Sequence, residues 1–286
     1  MATSGASFRT LAIFAKIAYA DGADPLTVLA VRFAIAGVFL VVLLRLRRER
    51  LPRGRTLVGL ALMGGVGYVT QSLSFFFALT VASAALVSLL LYVFPAIVAV
   101  LAAVVLKQRL TRVKVAAVVL ALLGTALVIG QLGGGTPLGI ALGLLSAVAY
   151  AIYILISSQL TPRAGAIPAT TVVVLAAATV LSTIMVVRGP QFPTSPAGWA
   201  AIAGLAVVST VIAIGTFFAG LERIGPAEAS TISTIEPVVT VALAAVILGE
   251  TVAPIQLLGG ILILGAVIVL ARAGRPALLP QDAPPA

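Results

Sequence analysis

Glu236 is a carboxylate set inside a long apolar run, in the stretch Thr231–Thr240, which reads TISTIEPVVT. Ser230, Thr231, Ser233, Thr234 and Thr240 surround it. On a helix, Ser233, Glu236 and Thr240 fall at i, i+3 and i+7 and share one face. Pro237 has no N–H to donate, so it frees the carbonyl of Ser233 and kinks the helix there. A carboxylate in that setting can exchange a proton, pair with a cation or receive an ammonium group. It serves equally well as a structural acceptor for the neighbouring hydroxyls. Two cations lie in other apolar runs, Lys16 and Arg32. Arg32 can take a carboxylate or phosphate, or brace helix ends by donating to carbonyls. Lys16, about one turn from the end of its run, is expected to snorkel to the membrane surface.

Neutral polar groups add to this set. Tyr68, Gln71 and Ser72 lie close together, as do Ser88 and Tyr92. Ser146, Tyr150, Tyr153 and Ser157 recur at i, i+4, i+7 and i+11, one stripe down a helix. A single hydroxyl reads best as glue between helices, whereas Tyr150 and Tyr153 need room and a partner for each hydroxyl. The candidate substrate contacts are therefore Arg32, Tyr68, Gln71, Tyr92, Tyr150, Tyr153 and Glu236. Pro95, which frees the carbonyl of Leu91, is with Pro237 a candidate hinge. With no His and no Cys in the chain, thiolate chemistry is excluded and the usual general base and metal ligands are missing. No catalytic residue, metal or cofactor is expected.

These groups must be positioned in lipid. Of 286 residues, 61% are apolar and 9% charged, with a mean hydropathy of +1.22, a balance that leaves a soluble domain too little to present to water. The net charge of +10 lies in short blocks between apolar runs, the pattern of membrane topology rather than of nucleic-acid binding. About 20 apolar residues are needed per helical span, and that measure gives ten, near 7–20, 26–44, 56–78, 82–106, 114–130, 138–157, 168–187, 198–219, 227–248 and 256–271. The first is short and interrupted by Arg9, which reads as a tilted interfacial helix or as a start upstream of Met1. With the N-terminus in the cytoplasm, 14 Lys and Arg fall on the inner side, six of them at Arg45, Arg47, Arg48, Arg50, Arg53 and Arg55, against Arg188 on the outer side. Both termini are thus expected to be cytoplasmic. Trp199 is expected to anchor the outer interface, and Gly135, Gly139 and Gly143 suggest close helix approach.

The chain also repeats. A shift of 142 residues lays Phe75–Leu106 over Phe217–Leu248 without a gap, pairing Phe75 with Phe217, Phe76 with Phe218, Ser88 with Ser230 and Pro95 with Pro237. A shift of 143 lays GADPLT (Gly22–Thr27) over GAIPAT (Gly165–Thr170). The expected organisation is an all-α integral membrane protein of ten helices in two five-helix repeats, 1–137 and 138–272, with a Pro-rich disordered tail over 273–286. An odd number of spans inverts the second repeat relative to the first, as in many secondary transporters, whose substrate sites lie near the midplane between repeats.

The segments FAKIAYADGADPLTVLAVRF, LYVFPAIVAV, STIEPVVTVALAAVILGE and QLLGGILILGAVIVL, in this order and at this repeat length, resemble the EamA-type transporters of the drug/metabolite transporter superfamily. The resemblance covers essentially the whole chain. It departs where that family's first repeat often has an acidic residue after span four and this chain has Gln108. It implies a plasma-membrane carrier of small organic metabolites such as amino acids or related compounds, working by alternating access in the export direction. The expected partners are that solute and membrane lipid, with the chain a monomer or homodimer and no nucleic acid involved. A membrane-embedded enzyme is the main competing class, but Glu236 is the only acid at membrane depth; a non-transporting subunit is the other.

Overall fold

The computed structural model describes residues 11–105, 107, 111–129, 135–208 and 243–273, and these are almost entirely helical. The helices are α1 (Leu11–Ala20), α2 (Pro25–Leu46), α3 (Gly54–Val81), α4 (Ala84–Val105), α5 (Arg112–Ile129), α6 (Pro137–Ala164), α7 (Ala166–Arg188), α8 (Pro196–Ala206), a short stretch α9 (243–248) and α10 (Pro254–Ala273). Six of them, α2 to α7, are long and apolar enough to cross a membrane. α1, α8 and α10 are apolar but carry shorter apolar segments, so the ten expected spans appear as six full-length helices and shorter pieces within the described residues.

The starts are set by short local signals. Asp24, Thr136 and Ser195 each precede a proline and accept from the backbone N–H groups of Thr27, Gly139 and Gly198, capping α2, α6 and α8. A capping oxygen followed by proline at the first helical position satisfies one orphan donor and removes another. Between them the helices are apolar on nearly every side. Val38, Val58, Leu62, Val119, Leu122 and Ile261 are exposed, as expected of surfaces that meet lipid tails.

The helices interleave across the repeat boundary. α2 packs on α7, α5 on α10, α1 on α8 and α3 on α6. In repeat terms, second pairs with second, fifth with fifth, first with third and third with first, the reciprocity of a two-fold relation. The directions are opposed. α2 starts beside the α7–α8 loop, where the Gln191 N–H donates to Thr27 Oγ1 at 3.0 Å. α7 ends there, having started at Gly165 at the other end. α6 begins beside the end of α3, with the Thr136 N–H on the Val81 carbonyl at 3.2 Å, whereas its counterpart α1 runs toward that end. One end of the bundle therefore carries Asp21, Asp24 and Glu250, and the opposite end carries the arginines of the α2–α3 loop; they are called the acidic and the cationic end below.

Two close approaches fix the seams. Side chains of Ala82, Leu86 and Leu90 lie where Cβ atoms at Gly135, Gly139 and Gly143 would stand, so that stripe seats α6 on α4. Midway along α3, residues Met63–Tyr68 (MGGVGY) form a π turn. Gly64 there lies directly against the backbone of Val173 on α7, leaving no room for a Cβ.

Candidate functional site

Tyr68 leaves the end of that π turn, and π turns occur often at functional positions because they re-aim the side chains that follow. Its ring stacks on Tyr153 of α6 at 5.2 Å and 27°. Tyr153 stacks on Tyr150 at 6.0 Å, and Tyr150 meets Phe94 of α4 edge-on at 4.7 Å. Phe94 continues to Tyr92 at 6.1 Å, and at the other end Tyr68 meets Phe33 of α2 at 5.3 Å. Four tyrosines named from sequence thus fall in one continuous series of rings, which runs from the first repeat into the second and back. All four are partly exposed, and Tyr68, Tyr92 and Tyr153 pack against buried apolar clusters. Phe33 and Phe94 belong to the same series. Nothing in the polar pattern marks them, since a lone Phe in an apolar run reads as core.

Arg32 lies at one end of the series and is 4% exposed. Its guanidinium carbon is 5.1 Å from the ring centroid of Phe33 and 5.7 Å from that of Phe76. Ring faces are weakly negative and accept a flat cation where water is excluded. Gln71 is turned to α6. Its Nε2 donates to Ser146 Oγ at 3.2 Å, Ser146 Oγ donates to the Gln71 carbonyl at 3.2 Å, and Ser72 Oγ donates to Gln71 Oε1 at 3.2 Å. That closed set ties α3 to α6 and gives Gln71 a structural duty. Ser157 pairs with Thr161 within α6.

Pro95 follows a break in α4. The first segment ends at Leu91, Tyr92 and Val93 form a turn, and the second segment starts at Phe94. The break lets Tyr92 and Phe94 both reach the ring series. Glu236 and Pro237 lie outside the described residues.

A second polar centre, at the acidic end, was not singled out from sequence. Glu250 accepts from the Ala84 N–H through Oε1 at 2.8 Å and from the Ala85 N–H through Oε2 at 3.1 Å. With Ser83 Oγ taking the Leu86 N–H, the first turn of α4 is fully capped. Anions are favoured there by the unsatisfied donors and the helix dipole. Lys16 completes the centre. Its Nζ donates to the Ala82 carbonyl at 2.8 Å and lies 3.7 Å from Glu250 Oε1, so it is spent on protein partners rather than reaching for the membrane surface. Beside it, Asp21 accepts from the Ser195 N–H at 2.8 Å and from Thr194 Oγ1 at 3.3 Å. The Ser195 backbone N–H, with smaller help from the Ser195 and Thr194 side chains, holds the Asp21 carboxyl below the usual carboxylate range. A carboxylate fixed by two residues of a distant loop has no sequence signature.

Comparison with known proteins fits this architecture. The model of the EamA-like transporter family matches twice, over residues 1–130 and 137–272. The chain is 28% identical over 267 residues to the "Uncharacterized inner membrane transporter YedA" of Escherichia coli (strain K12), covering 86% of this chain and 81% of that one. It is 27% identical over 267 residues to the "Uncharacterized transporter YcbK" of Bacillus subtilis (strain 168), covering 88% and 85%. A solved structure described only as "Crystal structure of protein" shares the fold with a TM-score of 0.67 at 22% identity, over 95% of this chain and 96% of the other. The chain belongs to the EamA-like transporter family and is a multi-pass membrane transporter.

Proposed function

We propose that the chain is a secondary transporter of the inner membrane that exports small organic metabolites, amino acids or related compounds, by alternating access. The observation that carries this reading is the ring series with Arg32 at its end. It is built from both repeats and stands in the middle of a bundle whose halves run in opposite directions. Helices related in this way can rock about a fixed middle, opening it to each side in turn. A substrate carboxylate would lie toward Arg32 and its carbon skeleton along Tyr68, Tyr153 and Tyr150, with Tyr92 at the far end. Pro95 and Pro237, equivalent in the two repeats, are the proposed hinges. Glu236 is proposed to carry a proton, because a charge in that apolar run is costly unless it faces protein or water or is neutralised.

Counterflow of labelled amino acids in proteoliposomes tests the reading, with a hydrolysis assay run beside it. Exchange that depends on Arg32 supports a carrier; substrate turnover without exchange would make it an enzyme. Glu236→Gln is expected to abolish pH-driven transport while sparing expression. Normal transport by that variant across pH 5–8 would remove Glu236 from the coupling mechanism.

A further inference from the structure

Glu250 links parts of the chain that a rocking motion must separate. It comes from the α9–α10 loop of the second repeat, yet both carboxylate oxygens are spent on the start of α4 in the first. Lys16 on α1 joins them by contacting both Glu250 and the carbonyl that ends α3. At the acidic end this contact and the neighbouring strap from Asp21 to Thr194 and Ser195 tie the first repeat to the second. Charge-assisted bonds of this kind are among the stronger ones a protein makes.

The repeat shows what the opposite end has to work with. A shift of 142 residues lays Glu250 over Gln108, Ala84 over Pro226 and Gly249 over Lys107. The last pair can be checked in the structure. Gly249 has φ +66 and Lys107 has φ +53, both left-handed, a conformation rare in a lysine. In the sequence Gln108 follows Lys107 as Glu250 follows Gly249. The repeat alignment sets Gln108 and Pro226 where Glu250 and Ala84 stand. There the carboxylate is replaced by a neutral amide, and Pro226 has no N–H to give. The residue matching Lys16 is Ser158 or Gln159, at a shift of 142 or 143, and both are neutral.

We propose that Glu250, with Lys16, is the positioning residue that holds the acidic end shut, and that this contact biases the resting carrier toward access from the cationic end. This rests on the alternating-access reading, but its test needs no substrate.

The chain has no cysteine, so one introduced thiol is the only target for a maleimide. Ser88→Cys is close to isosteric and lies one turn into α4, where Ser88 is 4% exposed. Membrane-impermeant maleimide is applied to the acidic side, using intact cells or inverted vesicles as topology requires. In the otherwise unaltered chain, labelling is expected to be slow. Adding Glu250→Gln is expected to raise the rate about tenfold or more by shifting the population of the open form. Glu250→Asp should leave the rate between the two. Adding Lys16→Gln instead removes the cation from the same contact and is expected to raise labelling from the acidic side as well, with Glu250 intact. That variant keeps the test decisive if Glu250→Gln fails to fold. Equal labelling rates in the parent, Glu250→Gln and Lys16→Gln would overturn the proposal. So would a rise from both sides of the membrane together, which marks general loosening. If labelling responds as expected while no solute exchanges, the gate stands and the transport reading falls.

Discussion

The middle of the bundle and its acidic end hold their polar atoms by different means. In the middle, side chains satisfy side chains: Gln71 and Ser146 exchange hydrogen bonds, Arg32 lies over two rings, and tyrosines stack on one another. At the acidic end, carboxylates hold backbone N–H groups at helix starts, Glu250 at α4 and Asp21 at α8. The difference matters for motion. Ring contacts are shallow and tolerate a third partner sliding between them. A carboxylate seated on two backbone donors is either in place or out of place, which gives two discrete arrangements. On the proposed reading the middle recognises the solute, and the end decides which side of the membrane reaches it.

The comparison is broken most directly at Arg32. Arg32→Lys keeps the charge but loses the flat face that rests on Phe33 and Phe76. Counterflow is expected to fall about tenfold to a hundredfold, the worth of a bond to a charged group, while labelling at Ser88→Cys keeps its sidedness. Unimpaired counterflow would move recognition away from this residue. Next in size, Gly64→Ala drives a methyl into the Val173 backbone and should cost about 1–3 kcal/mol, read as a lower melting temperature in detergent. A neutral result would mean that the π turn can shift away from α7 without loss. Smaller again, Gln71→Met removes the buried amide and leaves Ser146 to re-pair, at about 0.6 kcal/mol and at most about 1.7. A melting curve that drops further would show that the Gln71 set does more than join α3 to α6.

The smallest effect belongs to the acidic end and depends on pH. The Asp21 carboxyl titrates below its usual range when folded. Its contact with Ser195 therefore stabilises the fold above the unfolded-state value and is lost as pH falls through the folded one. Asp21→Asn should lower the melting temperature slightly at neutral pH, and the gap from the parent should close on acidification. A gap that stayed constant with pH would show that the amide replaces the carboxylate without regard to charge.

Much of this was legible in advance, for reasons that differ by residue. The apolar runs expected near 26–44, 138–157 and 168–187 were legible because transfer to lipid adds residue by residue, and each lies within a long apolar helix. The Gly135, Gly139 and Gly143 spacing pointed to a close seam, and α4 supplies it. Tyr150 and Tyr153 were legible as a stripe because helical periodicity is local. Their partners were not. Phe33 and Phe94 carry no polar mark, and the π turn at Met63–Tyr68 that aims Tyr68 shows in the sequence only as crowded glycines. Lys16 illustrates the limit: an isolated lysine near a helix end reads as a surface anchor until its neighbour from another repeat is known.

By itself the sequence determined that the chain lives in lipid, that it is helical, and that its second half repeats the first. Those properties are sums over neighbouring residues: transfer to lipid adds along the chain, and an odd number of spans inverts whatever follows. Only the tertiary structure decided which groups meet. Glu250 caps a helix that starts 166 residues before it, and Tyr153 stacks on a ring from the other repeat. Such pairs depend on how the two halves interleave, and no local term in the sequence encodes that.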